Sequence, residues 1–100
     1  MKFCSEHHLL LVSDEVYQEN VYSDKPFISA KKIINELGPP YNTLELASLH
    51  SVSKGLMGEC GLRGGYMELV NFDPGVLKEV HKVRAMLRCP NTIGQIMVGL

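Results

Sequence analysis

The run Leu9-Leu-Leu-Val12 is continuously apolar and ends abruptly at Ser13-Asp14-Glu15. An unbroken apolar run of this length is the pattern of a strand covered on both faces, as in a parallel sheet, rather than one with a wet side. After a loop containing Ser23-Asp24-Lys25-Pro26, apolar residues recur at Phe27, Ala30, Ile33, Ile34 and Leu37. That spacing predicts a helix, and Gly38-Pro39-Pro40 supplies a C-cap glycine and a stop. Leu44 to His50 then offers a second short strand. A strand, a helix and a strand separated by such a crossover imply parallel strands, whether or not they are immediate neighbours.

The stretch Gly55-Leu-Met-Gly58-Glu-Cys-Gly61-Leu-Arg-Gly64-Gly65 reads as a loop whose glycines permit positive φ or close backbone approach. Tyr66 to Val70 reads as a third strand. Asp73-Pro74 is an N-cap followed by proline at the first helical position, and Val76, Leu77, Val80, Val83 and Leu87 mark one face of a helix reaching about Arg88. Cys89-Pro90 ends it, and Asn91 or Thr92 caps a last helix carrying Ile93, Ile96, Met97 and Leu100. That last helix has an apolar stripe without a closing turn, and Met1 to His8 reads as the tail of a helix. A chain of 100 residues buries only roughly 60 to 70% of its unfolded surface, too little to cover a fully apolar strand on both faces. The expectation is therefore an α/β fold: residues 1–100 as a truncated part of a three-layer α/β/α domain with a mainly parallel sheet. No internal repeat or low-complexity segment points to a second unit.

Composition narrows the function. A net charge of −1, with 45% hydrophobic and 21% charged residues, excludes a disordered tail and argues against a nucleic-acid partner, since phosphate-gripping domains are strongly basic. No apolar stretch approaches the roughly 20 residues that span a bilayer, so no membrane helix is expected. Met1 to His8 lacks the apolar core of a secretory signal. Cys4, Cys60 and Cys89 are odd in number and form no CxxC pair, so neither a disulfide framework nor a zinc site is expected. No two of His7, His8, His50 and His81 stand at helical i, i+4 spacing, and no metal is expected. A cytoplasmic chain is the default expectation, with mitochondrial or peroxisomal placement left open.

In open α/β sheets, ligands gather outside the carboxyl ends of the parallel strands. Two polar clusters fall at such ends: Asp14-Glu15-Val16-Tyr17 after the first strand, and Ser51-Val52-Ser53-Lys54 after the second. Arg63 arrives from the glycine-rich loop. Together these types suit pyridoxal phosphate. Lys54 offers the amine that bonds the cofactor aldehyde and can afterwards carry a proton from the substrate α-carbon. Asp14 offers the carboxylate that keeps the pyridine nitrogen protonated. Tyr17, three residues on, can donate to the ring 3′-oxygen if the chain turns helically after the strand. Arg63 and the Ser51 hydroxyl can hold the phosphate. Taken singly, each has a plainer reading: Asp14 as a turn cap, Tyr17 and Lys54 as surface residues, Arg63 as an ion-pair partner.

The motifs Asp14-Glu-Val-Tyr17, Ser51-Val-Ser-Lys54-Gly and Gly61-Leu-Arg63-Gly-Gly-Tyr66 resemble the cofactor-binding core of fold-type-I aminotransferases, in that family's order. Gly38-Pro-Pro-Tyr41 and Ser53-Lys-Gly-Leu-Met-Gly-Glu-Cys-Gly61 resemble more narrowly the alanine aminotransferase branch, which includes glutamate:glyoxylate aminotransferases. The resemblance covers nearly the whole chain. It implies pyridoxal 5′-phosphate as cofactor, Lys54 as the catalytic lysine, Asp14 on the pyridine nitrogen, Tyr17 on the 3′-oxygen, and Ser51 and Arg63 on the phosphate. It also implies small amino-acid and 2-oxo-acid substrates and a homodimer. Leu56 and Leu62 stand where relatives often carry tyrosine. The family's other cofactor and substrate groups, an upstream phosphate loop, stacking aromatic and asparagine and a downstream carboxylate-binding arginine, are not among these residues. The expectation is thus transamination in a longer parent, with the 100 residues alone inactive.

Two rivals come from other classes. Ser51-Val-Ser-Lys54 formally matches the SxxK motif of acyl-transferring serine enzymes, which wants the serine at the start of a helix and SDN and KTG partners that do not occur here. Alternatively, the chain is a non-catalytic fragment that interacts through uncovered apolar faces.

Overall fold

In the computed structural model, which describes residues 1–87 and 89–99, a three-stranded sheet in the order β1-β2-β3 carries helices α1 to α4 around it. The first strand, β1, is Leu11–Asp14, two residues later than the apolar run suggests. Leu9 and Leu10 precede it and are exposed. Nor is β1 covered on both faces: Leu11 and Ser13 are half-buried while Val12 is 54% exposed and Asp14 is exposed. An apolar run says that cover is wanted, not that these residues supply it.

Helix α2 spans Ala30–Leu37. Its start is set by Ser29, whose backbone is extended and whose hydroxyl accepts from the Lys32 amide at 3.2 Å. The apolar periodicity begins earlier, at Phe27, because spacing alone does not register a cap. Phe27 and Ile28 lie outside the helix. Gly38, at φ 64°, closes α2 as the sequence predicts. A 3₁₀ turn at Tyr41–Thr43 leads into β2, Leu46–Ser51.

β1 and β2 pair in parallel, Leu11 opposite Leu46 and Asp14 opposite Leu49, as the crossover requires. β3, Gly65–Val70, runs antiparallel to β2, with Ser51 opposite Gly65 and Leu46 opposite Val70. The sheet of these residues is therefore mixed. The direction of β3 follows from its connection. Between Val52 and Gly64 the chain doubles back without a crossover helix, the Val52 amide donating to Gly64 O at 3.1 Å and the Glu59 amide to Val52 O at 3.0 Å.

Leu11, Leu46 and Val70 share one row across the sheet and hence one face. Ala30 and Ile34 of α2 cover that face, with Leu44, Met1 and Cys4 completing the cluster. Ile34 and Leu46 are fully buried, and each contributes roughly 1.5 to 3 kcal/mol of transfer free energy. Lys31 of α2 pairs with Glu68 of β3 at its exposed margin.

α1, Lys2–Glu6, matches the helical tail expected at Met1 to His8. α3 is Pro74–Met86, opened by Asp73, whose carboxylate accepts from the Gly75 and Val76 amides at 2.7 and 3.3 Å. The expected extension to Arg88 falls on a residue outside those described. No residue of α3 is buried, so its apolar stripe of Val76 and Val83 faces outward. α4, Thr92–Gly99, packs on β3 and on the 3₁₀ turn Cys60–Leu62. Leu100 also lies outside the described residues. Among the described residues no helix is long and apolar enough to cross a membrane.

Candidate active site

Strand directions decide what meets what. Because β1 and β2 are parallel, their carboxyl ends, with Asp14 and Ser51, lie at the same end of the sheet. Because β3 is antiparallel, it begins at that end, and Arg63 stands two residues ahead of it. Asp14, opposite Leu49, and Ser51, two residues beyond Leu49, also lie on one face, the one turned away from α2. With strands about 4.8 Å apart and a rise of about 3.3 Å per residue, the two Cα atoms stand roughly 8 Å apart.

After β1 the chain does turn. The Gln18 amide donates to Glu15 O at 3.1 Å and the Asn20 amide to Tyr17 O at 2.9 Å. Tyr17 sits within this double turn with its side chain 59% exposed. Glu15 serves structure: one of its carboxylate oxygens accepts from the Ser13 hydroxyl at 3.0 Å and from the Ala30 amide at 2.9 Å, tying the turn to the positive end of α2.

Ser51 and Arg63 share an open concavity with Leu49, His50, Ser53, Gly64, Gly65, Tyr66 and Met67. The Ser51 hydroxyl donates to Gly64 O at 3.2 Å and accepts from the Ser53 amide at 3.1 Å. Its single hydrogen is thus committed to the backbone and would have to turn to meet a phosphate. Arg63 has left-handed backbone angles, φ 52° and ψ 42°, and donates from Nη1 to Cys60 O at 3.1 Å. Its other N–H groups have no partner among the described residues. Ser51 closes a strand and does not open a helix, which removes the geometry that the SxxK reading needs.

Lys54 is exposed in the turn after β2, where its carbonyl accepts from the Gly58 amide at 3.2 Å. Its neighbour Gly55 joins this turn to the one after β1. At φ 60°, a Cβ on Gly55 would stand 2.6 Å from Val16 O, so the lysine turn and the Asp14–Tyr17 segment are in direct backbone contact. Asp14, Tyr17 and Lys54 do not line the concavity shared by Ser51 and Arg63.

The donor set at this end of the sheet comprises a carboxylate, a phenol, a hydroxyl, an amine and a guanidinium. Pyridoxal phosphate presents a basic ring nitrogen, a ring oxygen, an aldehyde and a dianionic phosphate, and each has a complementary group here. The residues fit the cofactor.

Sequence reasoning missed Asn91. It offers Asn91 or Thr92 as the cap of α4, and the Asn91 Oδ1 accepts from the Gly94 amide at 2.7 Å. Its Nδ2 also donates to Leu62 O at 3.2 Å and Arg63 O at 3.1 Å. The cap was legible, whereas the contact with a loop 28 residues upstream carries no local signal.

The Aminotransferase class I and II family profile matches residues 1–96, and the chain is a member of that family. Over its whole length the chain is 53% identical to a probable mitochondrial alanine aminotransferase of Dictyostelium discoideum and 52% identical to alanine aminotransferase 1 of Mus musculus. It is 49% identical to glutamate–glyoxylate aminotransferase 1 of Arabidopsis thaliana. These alignments cover 19%, 21% and 21% of the respective relatives, so the chain spans about a fifth of their length.

Proposed function

We propose that these residues are part of the cofactor-binding large domain of a pyridoxal-phosphate-dependent aminotransferase that exchanges the amino group of L-alanine with 2-oxoglutarate. The carrying observation is the convergence of the Asp14, Lys54 and Arg63 segments at one end of the sheet, produced by a parallel and an antiparallel pairing on the same central strand. The identity to alanine aminotransferases supports the choice of substrates.

Bound there, pyridoxal phosphate supplies an electron sink that makes the substrate α-proton removable. The Asp14 carboxylate holds a proton on the ring nitrogen. Tyr17 donates to the 3′-oxygen from the turn that follows β1. The N–H groups of Arg63 not engaged by Cys60 bind the phosphate, joined by the Ser51 hydroxyl once it leaves Gly64 O. Lys54 Nζ would hold the cofactor at its aldehyde carbon and, when free, would carry the proton to and from the substrate α-carbon. The partners proposed are small amino and 2-oxo acids and a second copy of the full-length protein.

The test is Lys54→Ala in the full-length protein. Alanine–2-oxoglutarate turnover should fall by about a thousandfold or more, as expected for loss of a nucleophile that is also the base. Asp14→Ala should slow turnover while leaving a borohydride-reducible bond between cofactor and Lys54. Retained turnover in Lys54→Ala refutes the mechanism. The Arabidopsis relative keeps a second donor–acceptor pair open, and assaying glutamate with glyoxylate beside alanine with 2-oxoglutarate decides between them.

A further inference from the structure

We infer that Asn91 is a positioning residue for the cofactor's phosphate: its carboxamide sets the backbone of Arg63 and so aims the guanidinium. The inference rests on the reading of Arg63 given above and adds what holds it in place.

Arg63 is a branched-chain-free but bulky L-residue in the left-handed region, at φ 52° and ψ 42°. Such a conformation persists where the surroundings over-determine it. The Leu62 carbonyl belongs to the peptide plane before the Arg63 Cα, and the Arg63 carbonyl to the plane after it. The angle between those planes is φ and ψ of Arg63. The two hydrogens of Asn91 Nδ2 go one to each carbonyl, at 3.2 and 3.1 Å, so a single planar amide fixes both rotations. Its oxygen accepts from the Gly94 amide at 2.7 Å, which anchors the amide to the first turn of α4. Gly94 sits tight beneath: a Cβ there would lie 2.7 Å from Leu62 O and 2.9 Å from Arg63 O. On the other side of the loop, Gly64 O accepts from the Ser51 hydroxyl and the Val52 amide. The segment that presents Arg63 is therefore held between β2 and α4, and Asn91 is the side chain that spans the α4 side.

The side-chain reach of Asn91 allows the two functions to be separated. Asn91→Ser keeps an oxygen able to cap α4 but is too short to serve both carbonyls. In the full-length apo-protein, titrations with pyridoxal phosphate and with pyridoxal, which lacks the phosphate, are followed by absorbance. Loss of two hydrogen bonds that aim a charged ligand predicts pyridoxal phosphate binding weakened by about tenfold, with pyridoxal affinity unchanged. Asn91→Thr, likewise an uncharged cap too short to serve both carbonyls, carries the same expectation and serves if Asn91→Ser does not fold. Arg63→Gln is the reference. If Arg63→Gln weakens pyridoxal phosphate selectively and the Asn91 variants do not, the positioning role is overturned. If the Asn91 variants weaken both ligands equally, Asn91 is structural only and the inference is equally overturned. If Arg63→Gln itself shows no selectivity for the phosphate, it is the reading of Arg63 that fails.

Discussion

Replacing Gly55 with alanine tests the contact on which the candidate site depends. Gly55 has φ 60°, and a Cβ added there would meet the Val16 carbonyl at 2.6 Å and Asn20 Oδ1 at 3.4 Å. The first term is backbone strain, about 1 to 2 kcal/mol for an L-residue in the left-handed region. The second is overpacking against a backbone oxygen, which costs roughly 1 to 3 kcal/mol because the whole Asp14–Tyr17 turn must shift. Together they predict a loss of roughly 3 kcal/mol. Two neighbours in the same loop separate the terms. Gly58, at φ 59° with nothing within 4 Å of a Cβ, carries only the strain, so Gly58→Ala should cost about 1 kcal/mol. Gly61, without positive φ and with nothing within 4 Å, should tolerate alanine or gain by about 0.5 kcal/mol through a stiffer unfolded chain. Urea unfolding followed by circular dichroism reads the three variants. At a slope of about 2 kcal/mol per molar, Gly55→Ala should lower the midpoint by roughly 1.5 M, with Gly58→Ala about a third of that. Equal midpoints for Gly55→Ala and Gly58→Ala would show that the lysine turn does not press on the turn after β1, and the assembly of the site described above would be refuted.

Two further outcomes follow from the packing around the sheet. Asn71, at φ 63°, donates from Nδ2 to Asn42 O at 2.9 Å and Leu44 O at 2.8 Å, so Asn71→Ala should cost about 2 kcal/mol by stranding two carbonyls and straining the backbone, measured as a fall in the urea midpoint. The Lys31–Glu68 pair is about half exposed on both sides, and a double-mutant cycle to alanine should return a coupling below about 1 kcal/mol that vanishes in molar salt.

Much of the local structure is written in short stretches. Gly38 after Leu37 ends α2, and Asp73-Pro74 opens α3, because a cap is a contract between residues a few positions apart. The parallel pairing of β1 with β2 follows from the length and helical pattern of what joins them. The boundaries were less legible. Leu9 and Leu10 are as apolar as Leu11 but fall outside β1, since a strand ends where its partner's hydrogen bonds end rather than where hydropathy does. Phe27 fits the period of α2 but stands before the Ser29 cap.

The sequence by itself determined the elements, their order, and which residue types would stand at the carboxyl ends of the strands: Asp14 and Tyr17 after one, Ser51 and Lys54 after the next, Arg63 in the glycine-rich loop. Each of these rests on interactions within a few residues, which a one-dimensional pattern can record. The tertiary structure alone decided that β3 runs back along β2 and so delivers Arg63 to the same end. It also decided that Gly55 backs onto Val16 and that Asn91 reaches Arg63 across 28 residues. These depend on which surfaces pair and at what register, a property of the packed chain that no local stretch encodes.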